Sequence, residues 1–162
     1  MELSAIVPEL VLAAACLVLV PMAGLLRGRW RALVPAVAGS ALAAGAAAVL
    51  PTLARPARAV FHGTYRLDGL SQVSKLLVLV GALATLAMLA AYLRRHADAA
   101  HAPVALVFAT LGAVGLTSAH DLGLLLLLLE MTSFGGYLLA ALVRGDARAL
   151  EATLKFLLLG AA

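Results

Sequence analysis

Residues 121–143 read DLGLLLLLLEMTSFGGYLLAALV, an apolar stretch opened by Asp121 and broken by one further charge, Glu130. A helix that crosses about 30 Å of hydrocarbon needs about 20 apolar residues. This stretch has that length and shows none of the polar–apolar alternation of a half-buried strand. It reads as a transmembrane helix. Glu130 lies nine residues past Asp121, about 13.5 Å along such a helix and close to the bilayer midplane.

The same pattern recurs on both sides. Spans are predicted over residues 4–26, 32–53, 69–93, 103–119 and 121–143, and a sixth helix over 147–162. Pro8 falls in the first turn of the first span, where a missing N–H costs little. Gly39, Ser40 and Gly45 give the second span small residues that permit close helix packing. The longest connection is the polar segment 54–68, and Asp68 is placed to cap the third helix. Only a short turn around His120 separates the fourth and fifth helices, so they are expected to be antiparallel neighbours. The sixth helix covers about 24 Å, less than a full crossing, and stops on Leu-Gly-Ala-Ala without a polar flank. The natural chain is expected to continue past Ala162. The expected fold is an all-α membrane protein, a polytopic helix bundle of five full transmembrane helices and a truncated sixth. It forms a single domain over residues 1–162.

Composition agrees. Of 162 residues, 64% are apolar and 12% charged, and the mean hydropathy is +1.07. That leaves too few polar residues for the shell of a soluble domain. The net charge of +4 does not indicate a nucleic-acid partner, because the arginines fall in short clusters between apolar runs. Arg27, Arg29, Arg31, Arg94, Arg95, Arg144 and Arg148 follow the odd-numbered helices, whereas Arg55, Arg58 and Arg66 occupy the opposite side. By the positive-inside rule the former set is cytoplasmic and the N-terminus lies outside. Trp30 suits an interfacial anchor. Cys16, the only cysteine, allows no internal disulfide and no thiolate cluster. It reads as a small buried apolar residue rather than a lipoprotein site, since Glu2 and Glu9 replace the basic start of a signal peptide.

Most charged residues lie at the ends of the predicted helices, and three do not: Lys75, Glu130 and Lys155. Each costs about 2.5–3.5 kcal/mol to insert at a helix centre, and so points to an interior pair or a functional role. At Glu130, hydrocarbon surroundings favour the neutral acid and a nearby ammonium favours the carboxylate. A group balanced in this way can take up and release a proton. Lys155, roughly 12 Å into the sixth helix from the other side, is the natural candidate partner. Glu151, one turn before it, could hold Lys155 instead. Lys75 can either snorkel to the outer surface or face the interior. His120, in the outer turn, reads first as a solvated histidine or cap and second as a proton-entry group. Gly135 and Gly136, just after Glu130, read as packing residues, and a structural hydrogen bond is the plain alternative for Glu130 itself. No phosphate loop, metal site or haem-attachment motif is present.

Several stretches carry a family resemblance. They are Ser118-Ala119-His120-Asp121-Leu122, Leu129-Glu130-Met131, Tyr137-Leu138-Leu139-Ala140-Ala141, and Glu151-Ala152-Thr153-Leu154-Lys155-Phe156-Leu157-Leu158-Leu159-Gly160-Ala161. Together they resemble subunit N of the proton-pumping NADH–quinone oxidoreductases (respiratory complex I), among the antiporter-like membrane subunits. Pro8-Glu9 and Asp68-Gly69-Leu70 with Lys75 are looser echoes. The resemblance implies that Glu130 and Lys155 carry protons, with Lys75, His120 and Glu151 as accessory candidates. It implies no cofactor in this chain, with NAD, FMN, iron–sulfur clusters and quinone bound by other subunits. The implied partners are the other membrane subunits of complex I and the lipid bilayer of a bacterial inner membrane. The pattern departs from the family at His120, where asparagine is more usual, and at Gly135-Gly136, near a common proline. Two other functions fit the residues: an antiporter-like subunit of a membrane hydrogenase or cation/proton antiporter, and a structural scaffold or assembly protein without transport. A piece of this length is expected not to pump by itself.

Overall fold

The computed structural model describes residues 5–26, 28–93, 101–141 and 147–160. Six helices follow in order: α1 (Val7–Leu25), α2 (Leu33–Val49), α3 (Gly69–Leu93), α4 (Ala102–Leu116), α5 (Leu122–Ala140) and α6 (Ala147–Gly160). Short 3-10 turns flank α2 at Gly28–Ala32 and Leu50–Thr52. Among the described residues, four helical stretches are long and apolar enough to cross a membrane: Val7–Leu25, Gly28–Thr52, Gly69–Leu89 and Leu122–Ala140. The architecture is that of an all-α membrane protein.

The fourth helix differs from the sequence expectation. It has 15 residues and ends at Leu116 rather than at residue 119. The cause is a feature not foreseen in the polar segment 54–68: an antiparallel hairpin of β1 (Arg58–Val60) and β2 (Tyr65–Leu67). Its turn places Phe61, His62 and Gly63 at positive φ. The backbone of residues 118–120 leaves the helical path to join this hairpin. Arg66 N–H donates to the Ser118 carbonyl at 2.9 Å, and His120 N–H donates to the Thr64 carbonyl at 2.9 Å.

Helices α1 to α4 form the packed body. Leu12 and Leu19 of α1, Leu42 of α2, Leu79 of α3 and Val107 of α4 are wholly buried in one apolar core. Cys16 is half-buried against that core. A second, smaller cluster forms at the hairpin end, where Ala5, Val60, Tyr65 and Leu67 meet Leu124 of α5. Helix α5 lies along α4, and α6 packs on α5.

The α4–α5 contact depends on missing side chains. A Cβ on Gly112 would come within 2.6 Å of Thr132 Oγ1, and one on Gly135 within 2.5 Å of the Ala109 Cβ. These positions let the two helices approach as small residues do at membrane helix interfaces. The packing reading of Gly135 agrees with this contact. Gly136 instead leaves room beside the Phe156 ring of α6.

Candidate functional site

Two groups of charged residues occupy opposite environments. The first lies at the hairpin end. Lys75 sits in the second turn of α3 and is the largest wholly buried side chain described, with no exposed surface. Its Nζ donates to Glu9 Oε1 of α1 at 2.7 Å and to the Tyr65 hydroxyl of β2 at 2.8 Å. The Tyr65 hydroxyl in turn donates to the same Glu9 oxygen. Burial, reinforced by the Glu9 carboxylate, pushes the Tyr65 hydroxyl well above its ordinary pKa, so it stays protonated and available as a donor. Lys75 therefore faces the interior and does not snorkel.

The hairpin brings these three residues together, and only Lys75 was singled out from sequence. A signal for Glu9 did exist. Alternate helices begin on the same side of a membrane, so an acid in the first turn of α1 and a lysine two turns into α3 share a depth range. The flexible stem of Lys75 spans the remaining distance. Tyr65 had no such signal, because its position depends on a hairpin turn within an otherwise polar loop.

The second group lies on α5 and α6. Thr132 and Gly135 meet α4 through Gly112 and Ala109, and Leu128 meets it through Gly115. Glu130 is roughly half a turn round the helix from all three. It therefore points away from α4, and it is exposed. Among the described residues no ion pair joins it to Lys155 or to any other cation. Lys155 instead pairs with Glu151, one helical turn earlier, at 2.5 Å, and both side chains are largely exposed. The two charges that the sequence offered as natural partners are thus not brought together, and the intrahelical alternative is the one formed. Tyr137, two turns along α5 from Glu130, is buried and meets the Phe156 ring of α6 edge-on at 4.8 Å.

His120 is exposed in the turn between α4 and α5, and its backbone, not its ring, makes the contact to the hairpin. The next residue, Asp121, caps α5 by accepting from Gly123 N–H at 2.9 Å and Leu124 N–H at 3.1 Å. Asp68 and Ser71 form a reciprocal cap at the start of α3. Asp68 Oδ1 accepts from Ser71 N–H at 2.8 Å, and Asp68 N–H donates to Ser71 Oγ at 2.9 Å. Among the described residues no cluster of His, Cys, Asp and Glu has the arrangement of a metal site.

No protein-family model matches the chain. Individual relatives do. NADH-quinone oxidoreductase subunit N of Erythrobacter litoralis is 34% identical over 165 residues, covering 99% of this chain and 34% of that protein. The subunit N of Azorhizobium caulinodans is 38% identical over 162 residues, covering 98% of this chain and 33% of that protein. The chain belongs to the subunit N family of NADH-quinone oxidoreductases. The fold agrees: a chain of the respiratory complex I of Thermus thermophilus, solved with bound aureothin, superposes with a TM-score of 0.77 at 31% identity. That match covers 95% of this chain and 33% of the other. The chain thus spans about a third of the length of the subunit N relatives it matches. Within the family frame, the packed α1–α4 body and its buried lysine stand beside an α5–α6 pair whose charges lie on open faces.

Proposed function

We propose that this chain is part of a membrane subunit of a proton-translocating NADH–quinone oxidoreductase, and that Glu130 is its principal proton-carrying residue. The observation that carries this reading is the placement of Glu130. It is a lone carboxyl group midway along an apolar helix, turned away from α4, with no cation paired to it among the described residues. A carboxyl group at membrane depth is costly to place, and such groups line the proton relays of pumps and transporters. Movement of charge near Glu130 loads or releases a proton without any redox chemistry in the chain itself.

Lys155 is the second proton-carrying residue in this reading. Its pairing with Glu151 holds the ammonium on α6, and exchange of Lys155 between Glu151 and another carboxylate would shift charge along the membrane. Lys75, His120 and Glu151 act as accessory groups. NAD, FMN, iron–sulfur clusters and quinone belong to other subunits of the complex, and the chain's partners are its other membrane subunits and the lipid. The location is a bacterial inner membrane, with the N-terminus and the hairpin outside and the arginine-rich turns inside. Five helices, α1 to α5, cross the membrane.

The test replaces Glu130 by Gln in the full-length subunit and measures protons moved per NADH oxidised by the assembled complex. The expected result is a loss of about tenfold or more, the scale set by removing a group that takes part in proton transfer. Unchanged pumping would overturn the reading and leave Glu130 as a packing residue of a structural subunit.

A further inference from the structure

The members of the Glu9–Tyr65–Lys75 cluster bond to one another, and the cluster is joined by covalent and hydrogen-bonded structure to the helix that carries Glu130. We propose that this cluster is a positioning element that sets where α5 begins, and through it where Glu130 sits. The inference rests on the reading of Glu130 as the proton-carrying residue.

The connection runs through β2. At one end, the Tyr65 side chain is tied to α1 by Glu9 and to α3 by Lys75. On its backbone, the same strand is tied to residues just before α5. Tyr65 and Ala119 form an antiparallel bridge, flanked by the bond from Arg66 N–H to the Ser118 carbonyl and the bond from His120 N–H to the Thr64 carbonyl, each 2.9 Å. Residues 118–120 thus act as a short third strand on the hairpin. Asp121 follows at once and caps α5, and Leu124, in its first turn, packs into the apolar cluster around Tyr65.

Each step is short-range. The buried ion pair fixes the Tyr65 side chain, the strand backbone fixes residues 118–120, and the cap fixes the first turn of the helix. Glu130 then lies about 13.5 Å further along a rigid rod. Helix α4 grips α5 through Gly112 and Gly135, on the side away from Glu130. That contact limits the separation of the two helices. The hairpin adds a separate tie at the first turn of α5, through residues 118–120 and Leu124. Lys75 thereby influences proton transfer without touching a proton path.

The experiment uses the full-length subunit within the assembled complex, in a background where Cys16 is replaced by Ser and other reactive cysteines are removed. Nitroxide labels are placed at Ala59 on the hairpin and Leu122 on α5, both exposed, and the distance distribution between them is measured. Tyr65→Phe deletes only the hydroxyl. Lys75→Met removes the ammonium and tests the same link more severely. If Lys75→Met fails to assemble, Tyr65→Phe still decides. The expected result is a broadened or shifted label distance in Tyr65→Phe, with protons moved per NADH lowered roughly threefold to tenfold, since small misplacements of reacting groups have effects of that order or larger. Adding Tyr65→Phe to Glu130→Gln should lower pumping no further, because both act on one element. An unchanged label distance overturns the inference, and so do losses that add independently. If Glu130→Gln alone leaves pumping intact, the reading of Glu130 fails. In that case a shifted label distance still supports control of the α5 start by the cluster, and an unshifted one overturns it.

Discussion

Lys75 and Lys155 have the same side chain, and each is paired with a glutamate in this molecule, but the two pairs differ in kind. Lys75, itself wholly buried, reaches Glu9 on another helix, whose side chain is 13% exposed. Lys155 reaches Glu151 one turn earlier on its own helix, with both groups largely exposed. The first pair ties three separate segments of chain together at high desolvation cost, and the second ties a helix to itself. Charge in a membrane protein is therefore not one category. Around Lys75 the described structure supplies two acceptors from two other segments, Glu9 and Tyr65, whereas on α5 and α6 the charged groups are exposed among the described residues. A group with a fixed, short, buried partner suits holding structure. A group that can change partners suits moving charge.

This contrast can be broken most directly by deleting both ammonium groups in turn. Lys75→Met leaves Glu9 without its counter-charge in a largely buried site, with only the Tyr65 hydroxyl still donating to it, and removing one partner of a buried pair costs about 3–5 kcal/mol. Lys155→Met removes an exposed intrahelical pair worth only about 0.3–0.5 kcal/mol. Thermal unfolding of the purified full-length subunit should show a large shift for the first and almost none for the second. Equal shifts would mean that the two pairs do the same work.

The next largest effect sharpens the contrast between the packed and open faces of α5. Gly135→Ala places a Cβ within 2.5 Å of the Ala109 Cβ and 2.8 Å of its nitrogen. Overpacking of this kind costs about 1–3 kcal/mol. Gly81, which has nothing within 4 Å of an added Cβ, is the control, and Gly81→Ala should be neutral or slightly stabilising. A loss of similar size at both positions would argue that helix backbone effects, not the α4–α5 contact, account for the change.

The smallest effect concerns Asp68, at the border of the buried cluster. The Ser71 backbone N–H holds its carboxyl below the ordinary carboxylate range, with smaller help from Arg66 and His120. A lowered folded-state pKa means that the unfolded chain binds a proton first as pH falls. The stabilisation is therefore fully present above the ordinary carboxylate pKa and disappears as pH drops through the lowered one. Asp68→Ala should cost about 1 kcal/mol at neutral pH. The difference between variant and parent should shrink in acid, measured as unfolding midpoints across pH. A difference that grew in acid would contradict the assigned cap.

Much of the fold follows from one-dimensional features. Apolar runs long enough for a bilayer mark α1, α2, α3 and α5, and the Asp68 and Asp121 positions mark two helix starts. Both aspartates do accept from first-turn N–H groups. The site was less accessible. Lys75, Glu130 and Lys155 stand out because a charge within an apolar run is costly wherever it lies. Which partner each one takes does not follow, because Glu9 and Lys75 are 66 positions apart, and Glu130 and Lys155 lie on adjacent helices whose relative rotation has no local signature.

By itself, then, the sequence determined the membrane setting, the helix-forming segments and the identity of the costly charges. These depend on local composition and on a helix period that every segment shares. Only the tertiary structure decided that the segment 54–68 folds into a hairpin, that the hairpin recruits residues 118–120 and shortens α4, and that Lys75 is sealed against Glu9 and Tyr65 while Glu130 turns away from α4. Each of these is a choice among long-range pairings. Such a choice is set by which surfaces fit when all the helices are packed at once, and no single segment carries that information.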